Sequence, residues 1–237
     1  MSRISGTYVK YSDWKLWNTK LFGTYNRKEH YYYKKLLQPY FKRAKWGFAV
    51  LEIGFGNGSI AGWLASNYQH ISWTGIEVQD SLVSKAQKAG FDAFSDISLV
   101  PKPEQFDAII AIDVLEHMGD QDIKKLFSIF ETKVKQDGVI IARVPNAAGP
   151  LGLPNQTGDP THINQISQPR LESYLLEWEI DVKGDILPIW TGNPLSMFRN
   201  ICSGIIRFFI TRLVRFAFAP QPRTILSSNI HLIMKKK

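Results

Sequence analysis

Between residues 48 and 145, short apolar runs alternate with helix-patterned stretches at nearly constant intervals, and this alternation restricts the fold more than any other feature. "FAVLEIG" (48–54), "ISWTGIEV" (71–78), "FDAFSD" (91–96), "FDAIIAID" (106–113) and "GVIIARVP" (138–145) read as strands. "GSIAGWLASNY" (58–68), "DSLVSKAQKAG" (80–90) and "DQDIKKLFSIFETKVK" (120–135) read as helices, the second with Asp80 as N-cap and Gly90 past its end. Strands separated by helices of this length build βαβ units, so the expected fold is α/β, with a doubly wound, mostly parallel sheet. The fourth run is apolar throughout, as a strand covered on both faces must be.

Beyond Pro145 the pattern loosens. "NAAGPLGLPNQTGDPTHINQISQPR" is rich in Gly, Pro and Asn, and loops of that length in a compact domain carry function or stay disordered. "PRLESYLLEWE" resumes a helix, and "EIDVKGDIL" and "SSNIHLIMK" read as strands. Between those strands lies an insertion at about 188–224. Its stretch 195–219 sets Phe198, Ile201, Cys202, Ile205, Phe209, Leu213 and Phe216 at helical spacing, and Gly204 marks a place where it could break in two. The chain therefore divides into a basic, aromatic N-terminal extension (1–47) and a domain (48–237) bearing that insertion.

Charge is segregated. Residues 1–47 carry eleven Lys and Arg against Asp13 and Glu29; residues 48–185 carry ten against nineteen acids; residues 186–237 carry eight and no acid. Two basic flanks around an acidic middle suit an anionic partner such as a phosphorylated substrate, a membrane surface or nucleic acid, or else the flanks pack on the middle. Cys202 is the sole cysteine, which excludes a disulfide framework or a cysteine-rich zinc site and suits a reducing cytoplasm. No stretch of about 18 uncharged apolar residues is present. In the extension, "RKEHYYYKKLLQPYFKRA" has helical spacing, with Pro39 expected to end or kink it.

The turn after the first strand, "LEIGFGNGS", limits the ligand. A phosphate-binding P-loop requires Gly-Lys-Ser/Thr, whereas Gly58 precedes Ser59 and Ile60. A dinucleotide turn requires a third glycine where Ser59 stands, and Glu52 would repel a pyrophosphate. Glycines that admit a close ligand, next to carboxylates, suit a ligand whose near end is cationic. S-adenosylmethionine has a sulfonium and an α-ammonium and no phosphate.

This E-x-G-x-G-x-G turn resembles the first motif of class I S-adenosylmethionine-dependent methyltransferases, and the order of the other strands is similar to theirs. The resemblance implies that Glu52, Gly54, Gly56 and Gly58 line the donor site. It also implies that Glu77 takes the ribose hydroxyls, that Asp96 lies beside the adenine, that Asp113 lies below the methyl donor, and that the last strand is antiparallel. In "DVLEH", Asp113, Glu116 and His117 would share a face if the segment turned helical. Some relatives hold a divalent metal with Glu-x-x-Glu-His; Asp113 has a shorter reach, and no metal is expected here. Relatives also present a Thr-His pair after the fifth strand, which makes His162 of "GDPTHINQIS" the expected base, with His117 as a second catalytic candidate. An imidazole titrates near neutrality and can take a proton from an acceptor hydroxyl.

The acceptor first expected is a sugar of a cell-surface polysaccharide or its lipid-linked precursor. The basic flanks, an aromatic lid and an amphipathic insertion able to lie on the inner face of a membrane combine in that reading. A quinone or other lipophilic small molecule is the alternative. RNA would use the same charge, but no RNA-binding module or Asn/Asp-Pro-Pro-Tyr signature is present. A catalytically inactive scaffold of the same fold is the non-enzymatic reading.

Overall fold

The computed structural model describes residues 11–17, 19–42, 44–101, 105–173, 175–218 and 225–237. The first ten residues of the extension and residues 219–224 of the insertion lie outside them. Seven strands, β1 (Phe48–Ile53), β2 (Ile71–Ile76), β3 (Asp92–Phe94), β4 (Phe106–Ile112), β5 (Val134–Pro145), β6 (Trp178–Lys183) and β7 (Asn229–Lys236), form one sheet in the order 3-2-1-4-5-7-6. β1 to β5 are parallel to one another, and β7 runs antiparallel to both β5 and β6. The doubly wound, mostly parallel sheet is as expected, the antiparallel last strand included.

Eight helices accompany the strands among the described residues: α1 (Tyr11–Trp14), α2 (Arg27–Phe41), α3 (Ser59–Asn67), α4 (Asp80–Lys88), α5 (Asp120–Lys133), α6 (Leu153–Thr157), α7 (Gln168–Glu172) and α8 (Pro194–Phe218). On one face of the sheet, Val50, Ala108, Ile110 and Ile141 pack with Leu36 and Leu37 of α2, Trp63 and Leu64 of α3, and Leu82 of α4. On the other, Leu51, Ile109, Ile140 and Leu232 pack with Ile123, Leu126, Phe127 and Phe130 of α5. Alternate residues of each strand thus supply two cores. α2 is part of the domain's core, and its start is fixed by a capping box: the Asn26 side chain accepts from the Glu29 N–H, and Glu29 accepts from the Asn26 N–H.

Several local expectations are corrected. Pro39 does not end α2, which runs on to Phe41; it falls in the last turn, where little helix remains to be disturbed. Gln79, not Asp80, is the N-cap of α4, and Asp80 sits in its first turn. The helix expected over 169–179 is the single turn of α7. Gly204 does not break α8, which is continuous over 25 residues. No described helix is long and apolar enough to cross a membrane.

Candidate methyl-transfer site

The loop leaving β1 carries three glycines in the left-handed region: Gly54 (φ 68°), Gly56 (55°) and Gly58 (73°). A Cβ on Gly54 would stand 2.7 Å from Val114, one on Gly56 2.9 Å from the Trp17 ring, and one on Gly58 2.2 Å from Phe22. Only glycine meets both the backbone and the space requirement there. The expected extension accordingly reaches the loop, with Trp17 and Phe22 lying over its second and third glycines.

Glu77, buried at the tip of β2, accepts from the Gly56 N–H and the Gln79 N–H, both at 3.1 Å. Burial raises its pKa. Glu52 is also buried, and it accepts from Trp73 Nε1 at 2.7 Å. Burial, with no full countercharge, pushes its carboxyl up to about 8. Asp96 is exposed beyond β3, where it caps a turn by accepting from the Ser98 N–H at 2.8 Å, a bond that lowers its pKa.

Asp113, Glu116 and His117 do not share a helical face. Asp113 adopts φ 55°, and a short 3-10 turn follows at Leu115–His117. The Asp113 carboxylate is drawn to Arg143, which donates to it through both Nε, at 2.7 Å, and Nη2. The Arg143 guanidinium lies 5.2 Å from the centre of the Tyr32 ring, and the Tyr32 hydroxyl donates to Nε2 of His231 at 2.9 Å. Burial holds His231 neutral, down to about 4, so its Nδ1–H donates to the Gly184 carbonyl at 3.0 Å. Arg143, Tyr32 and His231 carry no sequence signal of their own.

Glu116 and His117 instead meet the loop after β5. The Glu116 carbonyl accepts from the Ile163 and Asn164 N–H groups, both at 3.0 Å, which pins that loop beneath the 3-10 turn. Nε2 of His162 then stands 3.9 Å from Glu116 and 3.8 Å from Asp159. Its Nδ1–H donates to the Gln156 carbonyl at 3.1 Å. Nδ1 of His117 lies 3.2 Å from the Thr161 carbonyl and 2.9 Å from the Thr161 hydroxyl, which donates to Asp159 at 2.5 Å. The two imidazoles meet edge to face, their centres 4.7 Å apart. Lys15 of the extension reaches Asp159 at 3.3 Å.

Glu116 is fully buried, and among the described residues neither of its carboxylate oxygens has a hydrogen-bond partner. Burial, reinforced by Asp113, raises its pKa well above the usual carboxylate range. Burial, with His162 next to it, lowers that of His117. Glu116, His117 and His162 offer ligand atoms within 4.8 Å of one another, a donor set of the type that holds a divalent cation. Sequence reasoning singled out all three residues but missed Asp159 and Thr161 as the groups that orient them.

Comparison with known proteins agrees with this architecture. Residues 25–195 match a family described as a methyltransferase domain. Over 103 residues the chain is 29% identical to the cyclopropane-fatty-acyl-phospholipid synthase of Escherichia coli K12, a match covering 40% of this chain. The chain spans about a quarter of the length of the curated relatives it matches. Among solved structures, a SAM dependent methyltransferase from Archaeoglobus fulgidus superposes with a TM-score of 0.63 at 19% identity, over 89% of this chain and 95% of that one. The plantazolicin methyltransferase BpumL in complex with SAH gives 0.59 at 14% identity, over 98% and 92%. With a match over most of its length and a sheet of this order, the chain belongs to the methyltransferase-domain family, among the class I S-adenosylmethionine-dependent methyltransferases.

Proposed function

We propose that the protein methylates a hydroxyl oxygen, with S-adenosylmethionine held at the β1 turn and the acceptor at the His162 cluster. The observation that carries this reading is Nε2 of His162 facing two buried carboxyl groups, Glu116 after β4 and Asp159 in the loop after β5. The turn suits the donor: its three glycines hold the backbone in the left-handed region beneath Trp17 and Phe22, and the acid beside them disfavours phosphate. Bound there, S-adenosylmethionine would supply a methyl group on a sulfonium, to be taken by an oxygen nucleophile as the S–CH3 bond breaks and the neutral thioether leaves. Glu77 orients the ribose, and Trp17 and Phe22 cover the turn. His162 takes the hydroxyl proton on Nε2, Gln156 fixes its tautomer, and Asp159 stabilises the imidazolium, as a carboxylate does for a catalytic histidine elsewhere. Positioning supplies much of the remaining acceleration.

For the acceptor we favour a sugar hydroxyl in a cell-surface polysaccharide or its lipid-linked precursor. A shallow groove beside α2, lined by Tyr31, Lys34, Lys35 and Trp190, offers aromatic faces and cations of the kind that receive sugar rings and phosphate. The fatty-acyl-phospholipid in the bacterial relative's name favours a lipophilic acceptor instead. Comparing surface glycans of a deletion strain with the parent by mass spectrometry separates the two. Loss of one methyl group from a glycan supports the sugar, and unchanged glycans with an altered lipid or quinone oppose it.

A second reading of the cluster follows from the orphaned Glu116 oxygens. Both imidazoles donate Nδ1–H to backbone carbonyls, which leaves Nε2 as the atom able to bind a cation. A cation held there would bind the acceptor hydroxyl and make it more acidic.

A further inference from the structure

α8 is turned the wrong way round for a soluble protein. Ser196, Asn200, Ser203 and Thr211, at spacings of four, three and eight residues, form its polar stripe, and these are half-buried towards the body of the domain. Asn200 donates to the carbonyls of Pro188 and Ile189 at 3.0 and 3.1 Å, and Arg207 pairs with Asp185 at 3.2 Å. The opposite stripe, Leu195, Phe198, Ile205, Phe209, Leu213 and Phe216, faces outward, with Phe198 68% and Phe216 88% exposed. A helix of about 37 Å therefore presents a mostly apolar face to the outside, the kind of surface that marks an interaction site. At the base of that face an apolar groove of ≈ 470 Å³ opens along Ile189, Ile201, Gly204, Ile205 and Phe208.

We propose that α8 is a membrane-docking helix that lies in the interface of an anionic lipid surface with its apolar face among the acyl chains. Charge identifies the occupant. The helix carries Arg199, Arg207, Arg212 and Arg215, and no acid occurs anywhere from residue 186 to the end of the chain. Arg212 stands inside the apolar arc, its guanidinium 5.2 Å from the centre of the Phe208 ring. At a lipid surface such an arginine extends to a headgroup phosphate. In a contact between two copies of α8 it would be a buried charge facing other arginines, which is costly. The helix is not suited to spanning the bilayer, so it lies along the surface. Docking does not depend on which acceptor is methylated.

The test is flotation of the full chain with phosphatidylcholine vesicles, with and without phosphatidylglycerol, beside sedimentation of the lipid-free protein. The full chain floats with the anionic vesicles and sediments as a monomer without lipid. The triple variant Phe198→Ser, Phe209→Ser, Phe216→Ser loses tenfold or more of its partitioning, on the order expected for removing apolar anchors. Arg199→Gln, Arg212→Gln, Arg215→Gln loses on the order of a hundredfold on anionic vesicles and its preference for them. Circular dichroism and S-adenosylmethionine binding confirm that both variants fold, since the altered side chains face solvent. Absence of flotation by the full chain, or equal flotation of the phenylalanine variant, overturns the proposal. A lipid-free dimer that the phenylalanine variant converts to monomers overturns it too, in favour of a second copy as the occupant.

Discussion

Nε2 of His162 faces Oε1 of Glu116 across 3.9 Å, and that carboxyl is fully buried with no hydrogen-bond partner among the described residues. A buried acid in that state is costly to keep unless it is used. Its pairing with an imidazole whose other nitrogen is already fixed gives the site a place to put a proton.

Replacing His162 by Ala is therefore expected to lower kcat by about 10² to 10⁴ while leaving S-adenosylmethionine affinity within a few-fold, since the imidazole bonds to Gln156 and faces Glu116 and Asp159 rather than the glycines of the β1 turn. Glu116→Gln keeps the shape and removes the ionisable group, and it should lower kcat by on the order of tenfold to a hundredfold. Steady-state kinetics with calorimetric donor binding checks both. Equal losses of donor affinity and rate would contradict the division of roles.

Dialysis against a chelator is expected to leave the rate unchanged, because proton transfer at His162 needs no cation. Loss of activity restored by a divalent ion would instead make His117 and His162 ligands, with Glu116 as the third.

Glu52 sets a pH dependence of stability. Its carboxyl is pushed up to about 8 by burial, from an ordinary 4.5. The folded chain therefore holds a proton that the unfolded chain releases between those values. The stability this contributes is full below about pH 4.5 and falls as pH rises towards 8. Glu52→Gln keeps an acceptor for Trp73 Nε1 and removes the titration, so the decline in stability from about pH 5 to 8 should flatten, by at most a few kcal/mol. An unchanged slope in thermal melts would place the titrating group elsewhere.

Trp17 lies against Gly56, so Trp17→Ala should uncover the β1 turn and speed donor release by on the order of tenfold, read by stopped-flow fluorescence. Unaltered release would mean that the segment packs there without acting as a lid.

Much of the fold was legible because buried parallel strands write themselves as short apolar runs closed by glycine or an acid, as "FDAIIAID" does. What escaped were partnerships created by strand neighbours. Asp113 turns to Arg143, thirty residues away in the chain, because β4 and β5 lie side by side with Ile112 opposite Arg143. Glu52 meets Trp73 because β1 and β2 pair with Val50 opposite Trp73. No local pattern reports such a contact. The residue pattern left open whether α8 is one helix or two; it is one, because a single glycine costs a helix about 1 kcal/mol, too little to divide one of this length.

The central claim is that the turn after β1 receives a cationic sulfur ligand under the control of Glu77. Calorimetric titration of S-adenosylmethionine into the full chain and into Glu77→Gln tests it most directly. The account predicts saturable binding that weakens by about tenfold to a hundredfold in the variant, in keeping with loss of charge-assisted hydrogen bonds. No binding up to about millimolar ligand, or displacement of the ligand by a dinucleotide phosphate, would contradict it.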